Sequence, residues 1–175
     1  LRILGVDPGA YGALALLVDG RLTDVVDMPV LKVRRGRSDK AEVDGYSLAV
    51  LLRSLAPDLA LVEQVGGMPG QSPGASFNFG RAVGAVEYSL KTLGVRVETV
   101  APATWKRAMR LKGGKDDSRA LAMRMWPTKA ALFQRVKDDG RAEAALIAAW
   151  ARAVPGSPQE PGAGCLQGEM PDVFA

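Results

Sequence analysis

The sequence predicts a mixed α/β domain. Three observations lead there. Three short apolar segments open the chain, each closed by a turn signal; a continuous apolar run follows at Leu59–Val62; and stretches of helical spacing alternate with strands thereafter. The implied order is three strands joined by hairpins, then helix–strand–helix–strand–helices.

Residues 1–8 read as an apolar strand that stops at Asp7-Pro8-Gly9. Gly12–Val18 and Leu22–Met28 are the next two strands, joined by Asp19-Gly20, a strong hairpin signal. Residues 32–44 are polar and basic and read as a surface loop. Tyr46–Leu55 has the apolar spacing of a helix and ends before Pro57. Leu59–Val62 is continuous and apolar, as a buried central strand should be. Residues 66–74 are almost entirely Gly, Pro, Ser and Gln and read as a mobile loop. Phe77–Leu93 is a helix stopped at Gly94, and Val95–Val100 is a strand. Pro102 opens a helix, Lys112-Gly113-Gly114-Lys115 interrupts it, and a further helix reaches Trp126-Pro127. The last helix runs from about Asp139 to Ala153. From Pro155 onward Pro and Gly dominate. The expected division is a folded domain over residues 1–154 and a disordered tail over residues 155–175.

Composition removes several classes of function. The chain has no histidine, which excludes a Ser-His-Asp or Cys-His centre and His-ligated zinc. Cys165 is its one cysteine, so no internal disulfide is expected and a reducing compartment fits. No apolar run approaches the ~20 residues of a membrane span, and the N-terminus reads as a strand rather than a signal. The net charge is +4, but three acids and no bases lie in residues 155–175, which leaves +7 on the rest. A basic domain suits a polyanion partner without specifying one.

Acid–base and metal chemistry must therefore rest largely on carboxylates. Asp7 closes the first strand and Glu63 closes the buried one. Ligand sites in α/β sheets lie beyond the carboxyl ends of strands, so parallel neighbours would aim both acids into one crevice. Each also has a plainer reading, Asp7 as a turn residue and Glu63 as the charge marking a strand's exit. Glu143 is the only charge between Ala142 and Ala151 and shares a helical face with Leu146, Ile147 and Trp150. An acid on a buried stripe is costly unless it is paired or metal-bound; an ion pair with a buried arginine is the alternative. Asp139 lies one turn earlier on that face, with capping as its other reading. Asp138 points elsewhere and reads as the helix cap. Four acids without histidine suit the hard cations Mg²⁺ or Mn²⁺. Two such ions roughly 4 Å apart can activate water and stabilise a leaving oxygen in phosphodiester cleavage.

Gly5-Val6-Asp7-Pro8-Gly9, then Val62-Glu63-Gln64-Val65, then the run Asp139–Ala148 (DGRAEAALIA) resemble the RuvC Holliday junction resolvases of the RNase H-like superfamily. The last motif and Pro102-Ala103-Thr104-Trp105-Lys106 look closest to phage or prophage versions. The resemblance covers about residues 1–152. It implies a mixed five-stranded sheet, three leading antiparallel strands and then parallel ones, flanked by helices. It implies a homodimer that cuts branched DNA such as a four-way junction, with two Mg²⁺ or Mn²⁺ ions, in the cytoplasm of a bacterial or phage-infected cell. The catalytic and metal-binding acids it implies are Asp7, Glu63, Asp139 and Glu143. Such enzymes often carry two aspartates three residues apart; here the position three before Glu143 is Gly140, and the acid stands one step earlier.

The resemblance also places Lys106 and Lys115 near the scissile phosphate; Arg110 and Lys112 extend this basic stretch and read as phosphate contacts. Met68, Phe77 and Phe79 are candidates to wedge against a base at the crossover, though Phe77 and Phe79 read more naturally as core residues. Helix Phe77–Leu93 is the expected part of a dimer interface. Competing readings are a flap or RNA–DNA hybrid nuclease and a non-catalytic junction-binding protein. An actin-like phosphotransferase shares the Asp-x-Gly turn but needs far more than 175 residues.

Overall fold

Strand β1 (Arg2–Asp7) sits in the middle of a five-stranded sheet of order β3-β2-β1-β6-β7. The computed structural model describes residues 1–36, 38–64, 66, 70, 72–112 and 114–153; Met68 and residues 155–175 lie outside them, as does the side chain of Lys115. β1 runs antiparallel to β2 (Ala13–Val18), and β2 antiparallel to β3 (Arg21–Asp27). β6 (Leu59–Glu63) lies parallel to β1 on its other side, and β7 (Arg96–Val100) parallel to β6. The expected sheet is thus the observed one.

Strand side chains alternate between faces, and here both faces are covered. Leu4, Val6, Leu14, Leu16, Ala60 and Val62 pack on helices α1 (Gly45–Leu55) and α2 (Pro73–Thr92). Ile3, Ala13, Ala15, Leu17, Leu59 and Leu61 pack on the other side with α3 (Pro102–Ala108), α4 (Lys115–Met125) and α5 (Asp139–Ala153). Asp7 and Glu63 continue this second series at their strand ends, so both emerge on the α5 side. Val6 pairs with Val62, which sets the two acids side by side as the strands leave the sheet.

Four local expectations need correction. Residues 32–44 are not a loop: β4 (Val30–Arg35) and β5 (Ser38–Val43) form a separate antiparallel hairpin. No described residue of that hairpin is buried, so neither face needs apolar residues and the alternation that marks a strand is missing. α2 begins at Pro73 rather than Phe77, because Ser72 accepts the amide hydrogen of Ala75 and Pro73 takes the first helical position. Phe77 is 68% exposed and does not belong to the core, whereas Phe79 is half-buried near Gly9. α1 starts one residue before the expected Tyr46, with Asp44 accepting from the amides of Tyr46 and Ser47.

α5 lies directly on β1. A Cβ at Gly5 would stand 2.0 Å from the Ala144 carbonyl oxygen and 2.6 Å from the Ala148 nitrogen. Both neighbours are backbone, so nothing can turn aside. Gly5→Ala is expected to cost about 3 kcal/mol in denaturant unfolding, the upper range for overpacking. Gly80→Ala, whose Cβ meets nothing within 4 Å in helix α2, should instead gain up to about 1 kcal/mol.

Candidate active site

The carboxylates gather where β1, β6 and α5 end or begin. Asp7 is half-buried, Glu63 is 5% exposed, and Asp139 and Glu143 project from the first two turns of α5. Burial pushes the Asp7 carboxyl well above the usual carboxylate range; the charges of Glu63, Glu143 and Asp139 add to the rise, and Lys106 opposes it. Burial likewise raises Glu63; the indole N–H of Trp105 works against this, Glu143 adds to it and Lys106 reduces it. The charges of Glu63, Glu143 and Asp139 are thus felt at Asp7.

Helix α3 compensates two of them from consecutive residues. Trp105, fully buried, donates its Nε1 hydrogen to Glu63 Oε1 at 2.9 Å. Lys106 places Nζ 2.8 Å from Glu143 Oε1 and 5.1 Å from the Trp105 ring centroid. Ser118, 2% exposed on α4, donates to the same Glu143 oxygen at 3.2 Å. The alternative reading of Glu143, an ion pair, is thus present with a lysine in place of an arginine. Sequence reasoning missed Trp105 and Ser118. A tryptophan beside the singled-out Lys106 was the available signal for the first, since a buried indole N–H needs an acceptor; nothing marked the second.

The neighbouring acids separate cleanly. Asp138 is 1% exposed. It does not cap α5: it accepts from the backbone and guanidinium of Arg135, at 2.8 Å in each case, and lies 3.8 Å from Arg141 Nη1. Burial opposes its ionisation, but the Arg135 hydrogen bonds and the two guanidinium charges hold it below the usual range. Asp139 Oδ1 accepts from the amide of Gly140 at 3.1 Å, but Asp139 is itself helical (φ −57°, ψ −46°) and, among the described residues, makes no cap bond to the second or third residue after it. Gly140 packs close to Asp7. A Cβ there would stand 2.8 Å from Asp7 Oδ2 and 3.1 Å from the Tyr11 carbonyl oxygen, so a side chain at this position requires the Asp7 carboxyl to turn aside.

Of the cations singled out, Lys106 reaches the acids. Arg110 is exposed with a left-handed backbone (φ 56°), and Lys112 is exposed with its amide donating to Asp117 at 3.2 Å. Among the described residues, no three acidic groups stand close enough together to form a ready-made cage for one ion. An all-oxygen set with two carboxyls pushed towards protonation nonetheless fits a hard divalent cation, which would offset the crowding of negative charge.

No protein-family model matches the chain, and no curated protein matches it by sequence. Solved structures do match in shape. T. thermophilus RuvC in complex with a Holliday junction substrate superposes with a TM-score of 0.61 at 19% identity, over 90% of this chain and 97% of that one. The Thermus thermophilus RuvC structure gives 0.55 at 20%, over 87% and 96%. The yeast mitochondrial Holliday junction resolvase Ydc2 gives 0.51 at 16%, over 85% and 76%. The fold is RNase H-like. Within that class it is the fold of RuvC.

Two outcomes follow from the electrostatics. A carboxyl whose pKa is raised by folding contributes stability that is present below the unfolded pKa and lost as pH rises through the folded one. Near pH 7 the Asp7 charge is thus a burden, and Asp7→Asn should raise the melting temperature in metal-free buffer by a few degrees. The gain should shrink towards pH 4, and millimolar Mg²⁺ should stabilise the wild type more than the variant. A variant less stable than wild type near pH 7 would contradict this account. Trp105→Phe removes the donor that holds Glu63 down while nearly preserving volume. The Glu63 carboxyl should then titrate at higher pH, as followed by carbon-13 NMR, with a stability loss of about 1–3 kcal/mol.

Proposed function

We propose that the protein is a structure-specific endodeoxyribonuclease that cuts four-way DNA junctions and related branched DNA with divalent metal. The reading is supported by Asp7 and Glu63 closing neighbouring parallel strands on the α5 side, with Glu143 of α5 paired to Lys106, in a fold that matches RuvC. The presence of a junction complex among the matched structures supports branched DNA as the substrate class.

Asp7, Glu63 and Glu143 would hold Mg²⁺ or Mn²⁺, with Asp139 completing the set. The bound pair of ions supplies activation of water and neutralisation of the leaving oxygen. The chain's own residues prepare that chemistry. Trp105 fixes the rotamer of Glu63 through Oε1. Lys106 neutralises Glu143 until DNA arrives and is then within a side-chain rotation of a phosphate beside the acids, where its charge favours the developing negative charge. Ser118 keeps Glu143 Oε1 in place when Lys106 moves. Lys115, at the start of α4, is assigned as the second lysine near the scissile phosphate, with Arg110 and Lys112 as backbone contacts. Exposed Phe77 at the start of α2 is available to stack on an unpaired base; Met68 is the other wedge candidate. A homodimer, with α2 and its exposed Tyr88 in the interface, would let two strands of a junction be cut symmetrically. Such an enzyme acts where its DNA lies, in the cytoplasm of a bacterial or phage-infected cell.

The test is a cleavage assay on a four-way junction beside linear duplex, flap and RNA–DNA hybrid, with Mg²⁺, Mn²⁺ or chelator. The junction should be cut preferentially, and chelator should stop the reaction. Asp7→Asn, Glu63→Gln and Glu143→Gln should each lower single-turnover cutting at least about a hundredfold while junction affinity persists. Asp139→Asn should also slow cutting, whereas Asp138→Asn should lower stability, because it removes the buried charge that pairs with Arg135. Lys106→Ala and Lys115→Ala should slow the cut of bound junction; Arg110→Ala and Lys112→Ala should weaken binding instead. Preferential cutting of the RNA–DNA hybrid would replace this reading with that of a hybrid nuclease.

A further inference from the structure

The hairpin β4–β5 is ordered without contributing a buried residue to the described core. Only its base packs on the domain, where half-buried Val43 meets the α1–α2 side of the core. It is anchored at its root. The Asp44 amide donates to the Pro29 carbonyl at 2.9 Å, and Arg81 of α2 pairs with Glu42 at 3.0 Å.

Its charge is one-sided. Residues 30–43 contain Lys32, Arg34, Arg35, Arg37 and Lys40 against Asp39 and Glu42, a net of +3 within the +7 of residues 1–154. Both acids are engaged, Asp39 by Arg34 at 3.1 Å and Glu42 by Arg81. Lys32 and Lys40 are exposed and form no ion pair with a described side chain. The register sets them on opposite faces. Lys32 stands across from Ala41 and Lys40 across from Val33, on adjacent rungs.

The root borders Asp139. Val30 lines one cleft together with Tyr11, Gly12 and Asp139; Glu42 and Val43 line another together with Tyr11 and Phe79. From there each six-residue strand reaches about 20 Å outward.

We propose that this hairpin is a DNA-arm contact: a basic ribbon that enters a groove of the duplex beside the cut site and meets phosphates on both of its faces. A flat acidic protein surface would satisfy the cations of one face only. A groove has a phosphate wall on each side, and the major groove is wide enough for a two-stranded ribbon. The proposal rests on the nuclease reading above and adds to it the surface that holds an arm.

The experiment measures affinity for a four-way junction and for a linear duplex across a salt series, using the full chain. Lys32→Gln combined with Lys40→Gln should weaken both about fivefold or more at fixed salt. It should also flatten the salt dependence by about two contacts, each about 0.9 in log–log slope. Arg53→Gln, on α1 at the opposite end of the sheet, should keep the wild-type slope. A second variant replaces residues 31–42 with a short Gly-Ser turn; it should lose more affinity while circular dichroism and melting show the sheet intact. Wild-type affinity and slope in both hairpin variants would overturn the proposal. So would loss of self-association in sedimentation with unchanged DNA affinity, which would make the exposed Val30 and Leu31 a contact between copies. A wild type that binds duplex but neither prefers nor cuts a junction defeats the functional reading alone, because the linear-duplex comparison still decides the role of the hairpin.

Discussion

The approach of α5 to β1 is the constraint on which the site depends. Glycine at position 5 lets the helix backbone rest on the strand, and glycine at position 140 lets the first turn of α5 pass over the Asp7 carboxyl. A helix held off by even one methyl group would draw Glu143 away from Asp7. The apolar face of α5 supplies the force for this contact: Ala142, Ala144, Ala145, Leu146, Ile147, Ala148 and Ala151 are buried. Small residues dominate that list because close approach leaves no room for larger ones.

The same contact creates the electrostatic problem of the molecule. It brings like charges together in a place that water only partly reaches, and Asp7 and Glu63 respond with raised proton affinity. Helix α3 answers with one hydrogen bond and one charge from adjacent residues, Trp105 and Lys106. The compensation is incomplete: Asp7 has no comparable partner of its own among the described hydrogen bonds and ion pairs. A site that remains short of positive charge attracts cations, and that property makes the carboxylate cluster useful rather than merely costly.

Rigid and exposed parts divide the work. The sheet and α5 fix the acids on regular elements, where small displacements are resisted by packing on both sides. The cationic residues sit on less buried elements around them: the β4–β5 hairpin and the segment between α3 and α4. Asp27 and Arg141 tie the end of β3 to α5 by two hydrogen bonds, so the rim from which the hairpin departs is itself braced.

By itself the sequence determined the strands of the sheet, the strand-end positions of Asp7 and Glu63, and the placement of Glu143 on an apolar helical face. Those features follow from local periodicity and turn chemistry, which a few consecutive residues encode. It also indicated the choice between Asp138 and Asp139, because helical spacing alone puts Asp139 in line with Glu143. It did not reveal the hairpin, whose exposed strands carry no alternation, or the role of Gly140. Only the tertiary structure decided that Trp105 serves Glu63, 42 residues away, that Lys106 and Ser118 share one oxygen of Glu143, and that Asp138 is bound to Arg135 and Arg141. The physical reason is that a hydrogen-bond partner is chosen by the packing of distant segments, and no local pattern records which donor will stand within 3 Å of a buried acid.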